Sequence, residues 1–205
     1  MTIRIAAFAG SLRKGSFNRR LLACAARGAE EAGAEVDVID LRDHLAPLYD
    51  GDHESEHGLP PEVISFRERV AAAQGLLIAS PEYNHSLSAA LKNIIDWASR
   101  PQSSEDPRPC LPGKVAALLS TSPGHLGGIR GLSHLRAVLH NVGVLVINEQ
   151  FAMPSAGAAF GEGDSLQNPK TEQQVEEEQK KSLTTKATHK VLRMVKDIAE
   201  VSYGL

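Results

Sequence analysis

The feature that most constrains this chain is a glycine- and serine-rich segment between an apolar strand and an amphipathic helix. Residues 9–18 read Ala-Gly-Ser-Leu-Arg-Lys-Gly-Ser-Phe-Asn and follow the apolar run Ile3–Phe8. The predicted helix begins near Phe17. The first N–H groups of a helix lack partners within it and carry partial positive charge. Residues 9–18 therefore predict a loop that binds an anion.

The composition of this loop indicates the kind of anion. Its candidate ligands are Ser11, Arg13, Ser16 and Asn18. Lys14 precedes the second glycine instead of following it, and no G-x-G-x-x-G is present, so the loop is neither a Walker A loop nor a dinucleotide fingerprint. Hydroxyls, an amide and one arginine suit a terminal phosphomonoester. An ordinary strand–helix turn capped by Ser16 is the alternative interpretation.

Two glycines of the loop predict its backbone conformation. Gly10 and Gly15 are expected to allow a tight turn with φ > 0 and a close backbone approach.

The composition limits the class of protein. The chain has 205 residues, 42% of them hydrophobic and 23% charged, and a net charge of −3. We expect one domain, residues 1–205, with no nucleic-acid partner and no membrane span. Because the first predicted strand begins at Ile3, there is no room for a signal peptide, and the two cysteines form no C-x-x-C motif. These observations favour the cytoplasm.

Five short apolar segments alternate with helical ones. The predicted strands are Ile3–Phe8, Glu35–Asp40, Gly75–Ala79, Val115–Leu119 and Val144–Ile147. The predicted helices are Phe17–Ala32, Pro61–Ala73, Leu87–Ser99, Ile129–Asn141 and a long polar helix over about residues 171–200. Leu45–Pro61 is predicted to be a surface loop. This alternation predicts a parallel sheet with helices on both faces.

Ligands of such sheets bind beyond the carboxyl ends of the strands. The anion loop follows the first strand, Ser80–Ser86 follows the third, and Ser120–Gly128 follows the fourth. All three segments are polar and rich in turn-forming residues. The sequence therefore predicts one site where the three segments meet.

Three motifs give the chain a resemblance. They are Gly10-Ser11-Leu12-Arg13-x-x-Ser16-x-Asn18, Pro81-Glu82-Tyr83-Asn84 and Leu91-Lys92-Asn93-x-x-Asp96-Trp97. Together they resemble the NADPH-dependent FMN reductase family, and within it the chromate and quinone reductases and the azoreductases. The resemblance implies a flavodoxin-like three-layer α/β sandwich with a five-stranded parallel sheet of order 2-1-3-4-5. It also implies bound FMN, NADPH or NADH as electron donor, and a homodimer or homotetramer.

The resemblance implies roles for individual residues. The residues that resemble the family's FMN-phosphate loop are Ser11, Arg13, Ser16, Phe17 and Asn18. Those that resemble its two ring-side segments are Pro81, Glu82, Tyr83, Asn84, Ser120, Thr121, Ser122, Gly124, Gly127 and Gly128. Arg100 and His85 are candidate substrate residues, and the role of His125 is open. For Tyr83 a packing aromatic is the alternative interpretation.

The implied activity is an FMN-dependent NAD(P)H oxidoreductase that passes hydride through flavin N5. The acceptor is a small molecule: a quinone, a flavin, an azo compound or a metal oxyanion such as chromate. No catalytic acid or base is predicted, because the flavin carries the redox step. A flavodoxin-like electron carrier without its own NAD(P)H site is the alternative, and a regulator that only binds the nucleotide is a third. The mild net charge and Arg13 favour the enzyme.

One further motif matches a metal-binding pattern. His53-Glu54-Ser55-Glu56-His57 has the H-E-x-x-H spacing of zinc proteases, which requires a helix that places both histidines on one face. Gly51, Gly58 and Pro60 crowd the motif and predict a loop instead. No metal site is therefore predicted.

Overall fold

A computed structural model of the chain describes residues 2–101 and 109–160. In these ranges five strands form one sheet: β1 (Arg4–Ala9), β2 (Glu35–Ile39), β3 (Gly75–Ala79), β4 (Val115–Thr121) and β5 (Leu145–Met153). The strands are parallel and their order is β2-β1-β3-β4-β5. The predicted flavodoxin-like α/β fold and its strand order are confirmed.

Helices connect the strands. They are α1 (Phe17–Glu31), α2 (Gly51–His57), α3 (Pro61–Ala71), α4 (Ala89–Ala98), α5 (Ile129–Asn141) and α6 (Ala156–Ala159). A single 3-10 turn, Leu41–His44, follows β2. None of the helices in the described ranges is long and apolar enough to cross a membrane. The helix predicted over residues 171–200 lies outside the described residues.

The sheet separates two apolar cores. The buried faces of α3, α4 and α5 pack against one side, and α1 packs against the other. On the central strand β3, Leu76 and Ile78 belong to the first core and Leu77 to the second, and all three are fully buried. A strand covered on both faces needs apolar residues at successive positions. This explains the continuous apolar run that predicted β3.

The prediction of a surface loop over Leu45–Pro61 is wrong, because the segment contains α2. Asp50 caps this helix by accepting a hydrogen bond from the Asp52 N–H at 2.9 Å. The Glu54 carboxylate accepts hydrogen bonds from the Tyr49 hydroxyl and from Arg100 Nε, both at 2.9 Å. No residue of α2 is buried, so the helix has no apolar stripe by which the sequence could reveal it.

Strands β4 and β5 also extend further than predicted. Ser120 and Thr121 continue the ladder of β4 and pair with Ala152 and Met153 of β5. Their polar side chains excluded them from a prediction based on apolar runs. Thr121 therefore ends the strand and Ser122 begins the loop.

The motif Leu91-Lys92-Asn93-x-x-Asp96-Trp97 on α4 holds residues 47–49, which follow β2 and the 3-10 turn. Trp97 Nε1 donates to the Pro47 carbonyl at 2.8 Å, and Asn93 Nδ2 donates to the same oxygen at 2.9 Å. The Tyr49 N–H in turn donates to Asn93 Oδ1 at 2.9 Å. Asn93 and Trp97 thus anchor residues 47–49 to α4.

The central position of β3 predicts the cost of a cavity there. Leu77→Ala should lower the free energy of unfolding by about 2–5 kcal/mol, because a fully buried leucine loses its packing. Urea unfolding followed by circular dichroism measures this loss. Val38→Ala is the control, since Val38 lies on the edge strand β2 with 54% of its surface exposed. Equal losses in the two variants would contradict the described core.

Candidate functional site

Three segments extend the sheet beyond its carboxyl edge. The Gly10 N–H, just after β1, donates to the Ala79 carbonyl at 2.9 Å. The Ser80 N–H, just after β3, donates to the Leu119 carbonyl at 2.9 Å. The loops that follow β1, β3 and β4 therefore leave the sheet side by side. We call them the first loop (residues 10–16), the second loop (80–88) and the third loop (122–128).

The first loop leads into the N-terminus of α1. Ser16 caps the helix, and its Oγ accepts a hydrogen bond from the Arg19 N–H at 3.4 Å. Ser11 is 4% exposed, and no hydrogen bond from the described residues engages its hydroxyl. Arg13 is exposed, and its only contact in the described part of the chain is a 3.5 Å hydrogen bond from Nη2 to the Gly15 carbonyl. Two hydrogen-bonding side chains of the loop are thus available to a ligand.

Gly10 has a packing role, whereas Gly15 lies in a turn and a Cβ there would meet no atom within 4 Å. Neither has a positive φ, so that part of the expectation is wrong, whereas the expected close approach is present at Gly10. A Cβ at Gly10 would lie 3.0 Å from the Leu91 side chain and 3.0 Å from Ser88 Oγ. The Ser88 hydroxyl also donates to the Gly10 carbonyl. Gly10 is therefore needed for close packing of the first loop against the start of α4.

Asn18 joins the first loop to β4. Its Nδ2 donates to the Thr121 carbonyl at 2.9 Å, and its Oδ1 accepts from the Thr121 N–H at 3.0 Å. The side chain is 5% exposed. An amide nitrogen has two hydrogens, and the second Nδ2 hydrogen of Asn18 has no partner in the described ranges. The predicted contact of Asn18 with a phosphate stays a prediction, and its connection to Thr121 is a role that the sequence did not reveal.

Phe17 lies beside an aromatic residue from the end of the described chain. Its ring stacks on that of Phe160 with centroids 5.8 Å apart and an interplanar angle of 11°. The ring of Phe17 therefore packs against the core on the α1 side of the sheet, and its predicted role at the phosphate stays a prediction.

The second loop contains a tight hairpin. The Tyr83 N–H donates to the Ser86 carbonyl at 2.9 Å, and the Ser86 N–H donates back at 3.1 Å. The two central residues, Asn84 and His85, have φ values of 49° and 67°. Two successive positive φ values are the pattern of a type I′ turn, which asparagine tolerates. The turn presents Tyr83 with 48% of its surface exposed, so Tyr83 is not a core packing residue.

Glu82 connects the second loop to α5. Its carboxylate accepts hydrogen bonds from the Arg130 and Gly131 N–H groups, each at 3.1 Å. Arg130 Nε and Nη2 also lie 2.9 and 2.6 Å from Glu82 Oε1. Burial of the Glu82 carboxyl would raise its pKa, but the hydrogen bonds from Arg130 and Gly131 outweigh burial and hold the pKa below its usual value. Gly128 has no side chain that could cap α5, so the capping carboxylate comes from Glu82 of the second loop.

The third loop depends on two glycines. Gly127 and Gly128 have φ values of 60° and 88°. A Cβ at Gly127 would lie 2.7 Å from the Met153 carbonyl carbon, and one at Gly128 would lie 1.9 Å from Ser120 Oγ. Ser120 is fully buried under Gly128, and its Oγ has no hydrogen-bond partner within the described ranges.

The remaining predicted ring-side residues differ in exposure: Thr121 is buried at the end of β4, whereas Ser122 and Gly124 lie closer to the surface. Thr121 Oγ1 donates to the Met153 carbonyl at 2.8 Å, and Ser122 Oγ donates to the Gly124 carbonyl at 3.4 Å. Gly124 is exposed, and Pro81 of the second loop is buried. The predicted ring-side residues therefore comprise a buried frame and an exposed rim.

The two candidate substrate residues are far apart. His85 lies on the exposed second loop. Arg100 follows the C-terminus of α4, a helix of 10 residues that begins after Ser88 and is about 15 Å long. The Arg100 guanidinium binds Glu54 and lies 5.6 Å from the centroid of the Tyr49 ring. The structure does not bring Arg100 together with the three loops of the same chain.

The H-E-x-x-H motif does lie on a helix, so the reason given against it from sequence is wrong. His53 and His57 stack on α2 with ring centroids 4.6 Å apart. Glu54, however, is bound by Tyr49 and Arg100. In the described ranges no three His, Cys, Asp or Glu side chains are arranged to hold a metal ion.

The available donors fit a phosphomonoester. Ser11 and Arg13 lie in the loop that leads into α1, and Asn18 lies in the first turn of α1, where the helix N–H groups lack intrahelical partners. The second loop follows β3 and the third loop follows the neighbouring strand β4, so both begin at the same sheet edge as the first loop, where a flat ring attached to that phosphate could extend. A flavin mononucleotide has this combination of a phosphate and a flat ring.

Comparison with known proteins supports this interpretation. The model of the NADPH-dependent FMN reductase family matches residues 3–158. A protein of Oryza sativa subsp. japonica, named probable NADPH:quinone oxidoreductase 2, is 44% identical over 138 residues, which are 66% of this chain and 64% of the rice protein. The chain thus spans slightly less than two thirds of that relative. An NAD(P)H-dependent FMN reductase of Pseudomonas aeruginosa is 38% identical over 177 residues, 86% of this chain and 91% of that protein.

A solved structure supports the fold. FerB, a flavoenzyme NAD(P)H:(acceptor) oxidoreductase of Paracoccus denitrificans, superposes with a TM-score of 0.75 at 24% sequence identity. The superposition covers 97% of this chain and 98% of FerB.

The connection between Asn18 and Thr121 gives a first prediction for the site. Asn18→Ala should lower the free energy of unfolding by about 1–3 kcal/mol, because both backbone groups of Thr121 lose their hydrogen bonds inside the protein. Hydrogen exchange of the Thr121 amide should accelerate. Asn141→Ala is the control, since Asn141 is exposed at the end of α5. Unchanged protection of the Thr121 amide in Asn18→Ala would show that the amide does not depend on Asn18.

The lowered pKa of Glu82 gives a pH prediction. The stabilisation from its ionised form is complete above the unfolded-state pKa of about 4.3, and it is lost as pH falls through the lower folded-state pKa. The parent should therefore exceed Glu82→Gln in unfolding free energy at neutral pH, and the difference should shrink on acidification. Urea unfolding from about pH 7 to pH 3 tests this. A difference independent of pH would contradict the assignment.

Proposed function

The chain belongs to the NADPH-dependent FMN reductase family, whose model matches residues 3–158, and from that premise we propose that it oxidises NADPH or NADH through a bound FMN. The observation that supports this most directly is that the Ser11 hydroxyl and the second Nδ2 hydrogen of Asn18, in the first loop and the first turn of α1, have no partner among the described residues. They follow β1, next to β3. The strand order reverses between these two strands, and doubly wound sheets bind their ligands at this switch point.

The first loop holds the FMN phosphate in this proposal. Ser11 and Arg13 donate to it through their side chains, and the first N–H groups of α1 add backbone donors. Ser16 contributes mainly by capping the helix, and Asn18 by fixing the loop against Thr121.

The second and third loops hold the ring of FMN in this proposal. When bound, FMN supplies the redox chemistry, because its N5 accepts hydride from the nicotinamide and its reduced ring passes electrons to an acceptor. The residues of this chain orient the ring and limit access of water. In this proposal the half-exposed Tyr83 covers the ring from the solvent side, and Gly124, Gly127 and Gly128 allow the backbone to come close to the edge of the ring.

The exposed apolar side chains on the three loops favour a flat apolar electron acceptor. Four partly or largely exposed apolar side chains surround the loops: Leu12, Tyr83, Leu126 and Ile129, with exposed fractions of 38%, 48%, 53% and 36%. Such a rim suits the ring of a quinone or a second flavin. We therefore propose quinones as the main acceptor class, with azo compounds and chromate as further acceptors. His85 and His125, both exposed on these loops, would contact an anionic acceptor.

The remaining expectations are part of the same proposal. We propose that residues 1–205 form one domain of a cytoplasmic homodimer or homotetramer, in which the exposed rim lies near a subunit boundary. Arg100 would then reach a substrate pocket only from a neighbouring subunit, because it lies at the far end of α4 in its own chain.

An anaerobic absorbance experiment tests the proposed function. The protein is reconstituted with FMN and titrated with NADPH and then NADH, before quinone, azo dye or chromate is added. Rapid bleaching of the flavin bands, followed by their recovery with quinone, is the expected result. A bound flavin that neither nucleotide bleaches would indicate an electron carrier, and failure to bind FMN would overturn the proposal.

A substitution in the first loop tests the phosphate assignment. Arg13→Ala should weaken FMN binding by a factor of about 10–100, because a charge-assisted contact to phosphate contributes roughly 1.5–3 kcal/mol. Fluorescence titration of FMN measures the dissociation constant. Arg4→Ala is the control, since Arg4 pairs with Glu35 at the amino edge of the sheet. Equal FMN affinity in parent and Arg13→Ala would refute the assignment.

A further inference from the structure

The Glu82 side chain connects the second loop to the helix that follows the third loop. It leaves the second loop, crosses to the start of α5, and binds the Arg130 and Gly131 N–H groups and the Arg130 guanidinium. We propose that Glu82 and Arg130 form a charge-balanced clamp that positions the second loop and sets the reduction potential of FMN. This inference rests on the proposed function and concerns the same site.

The fold makes specific room for this clamp. The side chain of Glu82 is 8% exposed in its ion pair. A Cβ at Gly131 would lie 3.2 Å from Glu82 Cβ and 3.2 Å from the Ser86 carbonyl oxygen, so the second loop and α5 touch at a glycine. Gly128 precedes α5 and provides no side-chain cap. The helix therefore depends on Glu82 for the capping group that its own sequence lacks.

The position of the clamp links it to the third loop as well. His134, one turn further along α5, contacts Ser86 Oγ through Nδ1 at 3.2 Å. The second loop is thus held to α5 at both ends of its hairpin, by Glu82 before the turn and by Ser86 after it. The third loop ends where α5 begins. The contacts of Glu82 and Ser86 with α5 therefore fix the distance between the second and third loops.

The clamp also controls local charge. The N-terminus of α5 carries about half a positive charge, and Arg130 adds a full one. The Glu82 carboxylate opposes both. A flavin ring gains negative charge when it is reduced, so nearby cations favour the reduced form and nearby anions the oxidised form. Removing Glu82 should therefore raise the reduction potential, and removing Arg130 should lower it.

A purely structural clamp makes a different prediction. If Glu82 and Arg130 only held the two loops together, loss of either would loosen the same contact. Both single variants would then shift the potential in the same direction, toward that of free FMN. The signs of the two shifts therefore distinguish an electrostatic role from mere positioning.

The test measures the reduction potential and the FMN dissociation constant of four FMN-loaded proteins: the parent, Glu82→Gln, Arg130→Gln and the double variant. Potentials are measured anaerobically against a reference dye, at one fixed pH for all the proteins. Glu35→Gln is the matched control, because it removes one carboxylate from an ion pair with Arg4 at the opposite edge of the sheet.

We expect Glu82→Gln to shift the potential upward, Arg130→Gln to shift it downward, and the double variant to lie between them. The ratio of oxidised to reduced FMN dissociation constants should change by at least about threefold in each single variant. Shifts of the same sign, or none, would overturn the inference while the proposed function stands. A parent that binds no FMN would overturn both. If Glu82→Gln does not fold, Arg130→Gln decides the question: a downward shift away from the potential of free FMN supports the inference, and any other shift overturns it.

Discussion

The site depends on hydrogen bonds that side chains supply to loop backbones where the parallel ladder ends. Beyond that edge the backbone groups of the loops have no strand partner, and buried groups without partners are costly. Asn18 provides both bonds for Thr121, Ser88 provides one for Gly10, and Glu82 provides two at the start of α5. Each of these side chains comes from a different element than the backbone it satisfies. The three loops are therefore fixed relative to one another before any ligand arrives, which is the preorganisation that a binding site requires.

The glycines of the site show how closely these elements approach. Gly10 meets Leu91 and Ser88, Gly127 meets the backbone of Met153, and Gly128 covers Ser120. In each case the atoms that leave no room for a Cβ belong to the protein itself and not to a ligand. The glycine- and serine-rich character of these loops thus reflects packing between loops as much as contact with a ligand, and a motif derived from such residues identifies the fold as well as its cofactor.

Much of the fold could be predicted because its signals are local. Apolar runs of a few residues identify buried parallel strands, and the family resemblance supplied their order. Helix α2 could not be predicted, because all its residues remain at least partly exposed and its stability comes from Asp50 and from the contacts of Glu54. The three loops of the predicted site do leave the sheet at the same edge, yet the hydrogen bonds that join their elements pair residues separated by 103 positions in Asn18–Thr121 and by 78 in Ser88–Gly10. Spacing in a sequence carries no information on such pairs. The individual contacts with FMN stay predictions.

The way α4 holds the segment after β2 has a spectroscopic consequence. Trp97 is the only tryptophan of the chain, is fully buried, and donates to the Pro47 carbonyl while Tyr49 packs edge-on at 5.0 Å. Its emission therefore reports on the packing of residues 47–49 against α4, near the end of the helix that points away from the carboxyl edge. The fluorescence of a bound flavin would report on the three loops at the carboxyl edge of the sheet. The two chromophores allow loosening of the scaffold and release of the cofactor to be followed as separate optical signals in one sample.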